Sequence, residues 1–261
     1  MNILQEIAGR TKERVEAQKK ILPIKKIMEM IYPADSCFPF EKALRSEDIA
    51  FICEVKKASP SKGIIAEKFP YLDIAREYEQ AGAAAVSVLT EPEYFMGSDS
   101  CLSGIRAAIT IPILRKDFTI DPFQIKQSAS LGADAILLIC AILTEQQLTA
   151  FIKEADKHSL SCLVEAHNEH EVDMALKSGA RIVGANNRDL GTFTIDTNNS
   201  IKLKKLIPDD VIFVSESGVK NAGDIELLRQ NGINAALIGE TLMRSPDKKA
   251  KLAELRGRIN E

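Results

Sequence analysis

Glu54, Lys56, Lys116, Glu165 and Glu216 each close a short apolar run. A charge is a costly way to finish a buried element unless it is paired or used. In Phe51-Ile-Cys-Glu-Val-Lys56 the acid and the base stand two residues apart, so on a strand they share one face. Ser59, Pro60, Ser61 and Gly63 follow and supply turn chemistry with hydroxyl and N–H donors. Further on come Ile111-Pro-Ile-Leu-Arg-Lys116 running into Asp117-Phe118, Ser161-Cys-Leu-Val-Glu165 running into Ala-His167, and Val211-Ile-Phe-Val-Ser-Glu216 running into Ser217-Gly218. Carboxylates and ammoniums brought close together shift each other's proton affinity, which suits general acid–base chemistry. A lysine flanked by glutamates keeps its proton and can act as an acid; one near other cations loses it more easily. The sequence does not decide which applies to Lys56 or Lys116.

The elements that must position these groups follow a regular plan. Apolar runs at 49–56, 84–90, 111–116, 134–141, 161–166, 181–186, 211–216 and 235–239 alternate with helical patterns at 71–81, 99–108, 121–131, 145–158, 168–178, 198–206, 221–231 and 247–259. Eight strands alternating with eight helices predict a parallel (β/α)8 barrel. A doubly wound open sheet is the competitor, but it usually has fewer strands, and the chain has no GxGxxG fingerprint. Gly82, Gly132, Gly179 and Gly232, spaced 50, 47 and 53 residues apart, each fall between a helix and the next run, where glycine suits a left-handed helix end. The charged endings belong to the odd-numbered runs; the sixth ends in amides, Asn186-Asn187, before Arg188-Asp189. In such a barrel the C-terminal strand ends share one mouth, so Glu54, Lys56, Lys116, Glu165, Asn186 and Glu216 are predicted to converge.

Before the first strand lie two helical patterns over residues 2–31, divided at Pro23, then a linker over 33–48 with a short helix near Glu41–Arg45. No linker rich in Gly, Pro or Ser interrupts the later array. A single domain over 1–261 is expected, with 1–48 as a helical extension.

The last two loops have the character of an anion site. Ser217-Gly218-Val219 and Gly239-Glu240-Thr241 offer small residues and backbone N–H groups, and barrels often hold phosphate after strands 7 and 8. Glu240 must then turn its carboxylate away from the anion. His167-Asn-Glu-His170 spaces two histidines by three, but no third ligand accompanies them, so no metal site is expected. Phe95 reads as a pocket wall or a lid residue. The net charge of −3 argues against a general nucleic-acid or membrane-surface binder. No apolar run reaches the ~18–20 residues of a membrane span, and the start Met1-Asn-Ile-Leu-Gln-Glu-Ile lacks the pattern of a signal peptide. The five scattered cysteines form no CxxC pair and fit free thiols in a reducing cytoplasm.

The chain resembles the indole-3-glycerol phosphate synthase family along essentially its whole length. The matching motifs are Glu54-x-Lys56-x-x-Ser59-Pro60-Ser61, Leu89-Thr-Glu-x-x-x-Phe95-x-Gly97-Ser98, Leu114-x-Lys116-Asp117-Phe118, Leu163-Val-Glu165-Ala-His-Asn, Gly184-x-Asn186-x-Arg188-Asp189-Leu190 and Val214-Ser-Glu216-Ser217-Gly218. The resemblance implies ring closure, decarboxylation and dehydration of 1-(2-carboxyphenylamino)-1-deoxyribulose 5-phosphate, in tryptophan biosynthesis, with no metal or organic cofactor. It implies catalytic roles for Lys116, Glu165, Lys56, Glu54, Asn186, Glu216 and Ser217. Lys116 is the first-choice acid for ring closure; Glu165 and Lys56 serve the later proton transfers in an order the resemblance leaves open. Ser59, Gly218, Gly239 and Glu240 match phosphate-loop positions, and Arg188 could pair with the substrate carboxylate or a neighbouring acid. Phe95, Phe118, Leu137 and Leu190 would form the slot for the aromatic ring. The lead-in helices would partly cover the mouth. The implied partner is a phosphorylated small molecule rather than a nucleic acid or membrane, and a monomer or weak homodimer is expected. A Schiff-base aldolase using Lys116 or Lys56 is the runner-up; a phosphate-binding barrel without chemistry is the non-enzyme alternative.

Overall fold

Residues 3–31, 37–189 and 191–257 are described by the computed structural model. The apolar runs form β1 (Ala50–Val55), β2 (Ala85–Leu89), β3 (Ile113–Lys116), β4 (Ala135–Ile139), β5 (Ser161–Ala166), β6 (Ile182–Asn186), β7 (Ile212–Glu216) and β8 (Ala235–Ile238). They pair in parallel in chain order. Ile52 of β1 stands opposite Ala85 of β2 on one side and Leu237 of β8 on the other, so the sheet closes. The chain is a (β/α)8 TIM barrel preceded by helices.

Those helices are α1 (Ile3–Ile21), α2 (Ile24–Met30) and α3 (Pro39–Leu44). After successive strands come α4 (Tyr71–Gln80), α5 (Asp99–Ala108), α6 (Pro122–Ser130), α7 (Glu145–Asp156), α8 (Glu169–Lys177), α9 (Asn198–Lys204) and α10 (Ala222–Gln230). The short α11 (Glu240–Met243) and then α12 (Lys248–Leu255) follow β8. Ser98, Asp121, Thr144, Asn168, Asn221 and Asp247 accept backbone N–H bonds at helix starts, as short polar caps do. Gly82, Gly132, Gly179 and Gly232 all have positive φ and end α4, α6, α8 and α10, where the sequence spacing put them. After α6, the Gly132 N–H bonds to Ala129 O at 3.1 Å and the Ala133 N–H to Ser128 O at 3.0 Å, closing the helix end before β4.

Strand alternation then sorts the side chains. Ala50, Ile52, Leu114, Leu137, Leu163, Ile182, Val214 and Leu237 pack in the barrel interior. Phe51, Cys53, Val86, Ile113, Leu138, Val164, Phe213 and Ile238 pack outward against the helices. Glu54, Lys116, Glu165, Asn186 and Glu216 keep the interior parity, so they follow the inner apolar layers toward the C-terminal end.

The extension covers both barrel ends. Leu4 and Ile7 of α1 join the interior cluster at the mouth, and Phe40 and Leu44 of α3 join it at the opposite end. There Arg181, ahead of β6, meets Glu41 at 2.9 Å, and Arg45 donates to Asp210 O at 2.9 Å. The second half of α1 and α2 pack on α6 through Val15, Ile27 and Phe123. Arg14 reaches Asp117 at 2.6 Å and Lys19 reaches Asp121 at 2.7 Å.

Gly132 sits at φ +83°, and a Cβ there would lie 2.7 Å from Arg106 Cγ. Gly132→Ala is therefore expected to destabilise the fold by about 1–2 kcal/mol. A lower midpoint in urea with an unchanged m-value would show it.

Candidate active site

The interior parity delivers its charges to a cavity of about 390 Å³ at the C-terminal mouth. Glu54, Lys56, Ser59, Phe95, Lys116, Phe118, Leu137, Glu165, Asn186, Arg188, Glu216, Ser217, Gly218, Gly239 and Glu240 all line it. Leu190 lies outside the described residues. Ile3, Leu4 and Ile7 of α1 form part of the wall, a contribution that strand-end reasoning missed. Lys62, Lys220 and Arg244 also reach the cavity and were not singled out from the sequence.

The charges form two contacts rather than an even ring. Lys56 Nζ bonds to Glu54 Oε1, and Lys116 Nζ bonds to Glu216 Oε2. Glu165 Oε2 lies 3.9 Å from Lys116 Nζ. Two glycines make room for these carboxylates. A Cβ on Gly184 would collide with Glu216 Oε1 and lie 3.1 Å from Leu163 Cδ1. A Cβ on Gly239 would collide with Glu54 Oε1 and meet Lys56 Nζ at 3.0 Å.

Burial and pairing compete at each group. Burial would strip the proton from Lys116, but Glu216, Glu165 and Glu54 outweigh it, so the ammonium holds its proton above the ordinary lysine value. Burial pushes the Glu216 carboxyl up from 4.5 to about 7, against the pull of Lys116 and with the help of Glu165. Its Oε1 is buried and accepts no hydrogen bond among the described residues. Glu54 goes the other way: burial opposes its charge, yet Lys56, Lys116 and Arg188 hold it below the usual value. Buried Glu165 also faces His167, whose Nε2 lies 3.6 Å from Glu165 Oε1. The sequence reading set His167 aside as half of an incomplete metal pair; its position immediately beyond a strand ending in Glu was the usable signal.

Asn186 is placed by the backbone and hydroxyls around it. Its Oδ1 accepts from Ser217 Oγ and from the Arg188 N–H, each at 3.0 Å. Ser217 and Gly218 have φ of +66° and +98°, so the loop after β7 takes a left-handed course where it lines the cavity. The Glu240 carboxylate meets Arg244 at 3.1 Å, Lys62 at 3.6 Å and Arg188 at 3.9 Å. The loop after β1 pairs Ser59 with Gly63 as a two-residue ribbon, which brings Ser59, Pro60 and Ser61 to the cavity edge. Across the mouth the Phe95 and Phe118 rings lie 6.2 Å apart and tilted by 42°, an apolar wall suited to a flat ring.

Among the described residues no group of three or more His, Cys, Asp and Glu could hold a metal ion, and no helix is long and apolar enough to cross a membrane.

A family model described as indole-3-glycerol phosphate synthase matches residues 4–255. A protein of Ruminiclostridium cellulolyticum named indole-3-glycerol phosphate synthase is 56% identical over 257 residues, covering 98% of this chain and 99% of its own. One of Endomicrobium trichonymphae with the same name is 51% identical, covering 97% and 99%. Among solved structures, a 3-hexulose-6-phosphate synthase superposes with a TM-score of 0.66 at 17% identity, over 81% of this chain and 100% of its own, a likeness of fold.

Lys116→Ala would leave buried carboxylates without their shared cation. The sign follows from Glu216: its folded-state value is raised, so its unfavourable contribution is absent below 4.5 and complete above about 7. Without Lys116 that value rises further and the loss grows. The variant is expected to melt further below wild type at about pH 8 than at about pH 5. Thermal unfolding at the two pH values measures it.

Proposed function

The chain belongs to the indole-3-glycerol phosphate synthase family, and from that membership we propose how its barrel mouth performs the reaction. It is a carboxy-lyase of tryptophan biosynthesis. It converts 1-(2-carboxyphenylamino)-1-deoxyribulose 5-phosphate to indole-3-glycerol phosphate, carbon dioxide and water.

The aromatic carbon that bears the carboxylate must attack the ketone carbon. Lys116 delivers a proton to the ketone oxygen as the new bond forms. The observation that carries this role is the Lys116 ammonium held charged among Glu216, Glu165 and Glu54 despite its burial. A cation kept protonated at this position is present in its acid form and stabilises an oxygen that gains negative charge. The carboxylate then leaves as carbon dioxide and the ring regains aromaticity. Dehydration requires a proton on the departing hydroxyl and a base for the carbon-bound proton next to nitrogen; Glu165 and Lys56 are assigned to these transfers. Glu54 orients Lys56, as their direct contact supports. Glu216 orients Lys116, and Asn186 with Ser217 fixes the sugar hydroxyls.

The phosphate is assigned to Ser59, Gly218, Gly239 and the Glu240 N–H, with the aromatic ring between Phe95, Phe118, Leu137 and Leu190. Arg188 takes up the substrate carboxylate or remains with Glu240. Lys62, Arg188 and Arg244, which share the Glu240 carboxylate, supply positive charge beside the phosphate loops. No cofactor enters these steps.

The packing of the lead-in helices on both barrel ends supports one domain over 1–261, with 1–48 as its extension. The free cysteines support a cytoplasmic location. The chain works as a monomer or weak homodimer.

Lys116→Ala is expected to lower kcat by about 10²–10⁴-fold with its fold retained, read from the growth of indole fluorescence. Wild-type turnover should be unaffected by a chelator. A covalent adduct at Lys116 or Lys56 after borohydride treatment with a ketose phosphate would replace this mechanism by Schiff-base chemistry. Gly218→Ala places a methyl group 2.6 Å from Thr197 Cγ2 at a φ of +98°. It should raise KM about tenfold and change kcat less, as loss of a remote phosphate contact does.

A further inference from the structure

Two carboxylates beside the mouth, Glu91 and Asp117, are each only 2% exposed, and both face a cation from the helical extension. Arg14 of α1 sends Nη2 to Asp117 Oδ1 at 2.6 Å and Nη1 toward Glu91 Oε1 at 3.8 Å. A guanidinium is a planar fork, so one side chain can address two carboxylates through different nitrogens. Among the described residues Arg14 is the only ion-pair partner of Glu91. Asp117 has Arg115 as well, at 3.5 Å.

Each carboxylate holds the backbone under one ring of the aromatic wall. Glu91 Oε2 accepts the Tyr94 N–H at 2.7 Å and the Phe95 N–H at 3.0 Å, and its Oε1 accepts the Glu93 N–H at 3.0 Å. The Gly97 N–H closes the same loop on Glu91 O at 2.8 Å. Asp117 Oδ1, the oxygen that Arg14 meets, accepts the Phe118 N–H at 2.8 Å. The loop after β2 and the end of β3 thus each hang on a buried carboxylate, and Arg14 bridges the two. The rings they carry lie 6.2 Å apart across the mouth.

The other polar contacts of α1 with this loop are of a different kind. Glu6, Arg10 and Arg14 fall four residues apart, on one stripe of the helix, and meet Tyr94, Glu93 and Glu91 in reverse order. Glu6 meets Tyr94 at an exposed contact, and Arg10 and Glu93 lie 4.0 Å apart with both side chains more than half exposed. Solvated contacts of this kind contribute little. Arg14 stands against buried partners, and removing it would leave Glu91 without its counter-ion where one is costly to lose.

We propose that Arg14 is a positioning residue for the aromatic ring of the substrate: it sets the gap between Phe95 and Phe118 by tying together the carboxylates that hold their backbones. This role rests on the reading of the two rings as the wall of the slot for that ring. Arg14 itself does not line the cavity. Its loss frees the loop that carries Phe95, while Lys116 keeps its contact with Glu216. The slot grips the ring in substrate and transition state alike, so a looser slot is felt in KM more than in kcat.

Steady-state kinetics with the carboxyphenylamino substrate test this in Arg14→Gln, Arg14→Lys, Phe95→Leu and the double variant Arg14→Gln with Phe95→Leu. Thermal melts first establish that each is folded at the assay temperature. Arg14→Gln should raise KM about tenfold with kcat within about threefold of wild type. Arg14→Lys, a point charge that serves one carboxylate at a time, should fall between it and wild type. Both lesions act on the same wall, so Phe95→Leu should raise KM on its own and add little to Arg14→Gln. Wild-type KM in a folded Arg14→Gln overturns the proposal. So does a fully multiplicative rise in the double variant, since a general structural role would behave in that way, and so does a fall in kcat at unchanged KM. Should Arg14→Gln not fold, Arg14→Lys decides: a raised KM that Phe95→Leu adds little to supports the role, and a wild-type KM overturns it. A Phe95→Leu variant with wild-type KM would instead overturn the reading of the ring slot, and the role of Arg14 with it.

Discussion

The structure depends on keeping one ammonium charged where burial favours its neutral form. Lys116 stands at the mouth with Glu216, Glu165 and Glu54 around it, and these carboxylates outweigh its desolvation. Neither side of this balance is stable alone. Without the carboxylates the amine would shed its proton and cease to be an acid; without the amine the carboxylates would repel one another. Glu216 shows where the balance gives way, since its proton affinity rises to about 7. The cavity must nonetheless admit a carboxylated and phosphorylated substrate. The outer cations Lys62, Arg188 and Arg244, gathered on Glu240, serve the same need at the rim.

The fold was legible because two independent periods agreed. Strand-length apolar runs recurred between helical patterns, and glycines returned every second unit at positions that proved to have positive φ. The site was legible to the same depth: parity along a strand puts Glu54, Lys116, Glu165 and Glu216 with the interior residues, and the closed barrel brings their ends together. Which charge meets which was not legible. That Lys116 takes Glu216 from a strand 100 positions later, rather than Glu54 or Glu165 first, depends on strand tilt and on the space left by Gly184. Glu240 was a puzzle in sequence because its partners, Lys62, Arg188 and Arg244, come from three separate loops or turns. His167 was weighed in sequence only as half of a histidine pair three residues apart, whereas the structure sets its Nε2 3.6 Å from Glu165 Oε1.

The groups that hold the site in place point the other way. Arg115 and Asp117, the neighbours of Lys116, have outward parity and are buried. Arg115 bonds to Asp99 at 2.7 Å, Gln127 at 3.0 Å and Ser128 at 3.1 Å, joining β3 to α5 and α6. Asp117 accepts from Thr90 at 2.8 Å, beside β2. Lys116 has a long side chain with many rotamers, and its direction is set first by its backbone. Locking both neighbours into ionic contacts fixes that backbone.

Asp117 also ties the extension to this framework. Burial opposes its charge, and Arg115 and Arg14 together keep it ionised below the usual carboxylate range. Arg14 belongs to α1, the helix whose Leu4 and Ile7 wall the mouth. Swinging α1 away would take one of two cations from a buried carboxylate, and an uncompensated buried charge is among the more expensive defects a protein can carry. It would also expose Val15, packed against Ile27 and Phe123. The covering role expected of the lead-in helices is therefore divided along α1. Its Arg14 half is fixed beside the end of β3 through Asp117. Its first turns are held instead by apolar packing of Leu4 and Ile7 and by an exposed contact of Glu6 with Tyr94, next to the ribbon after β1. The contacts that hold Lys116 and its carboxylates are thus distinct from those at the first turns of α1 and the ribbon after β1.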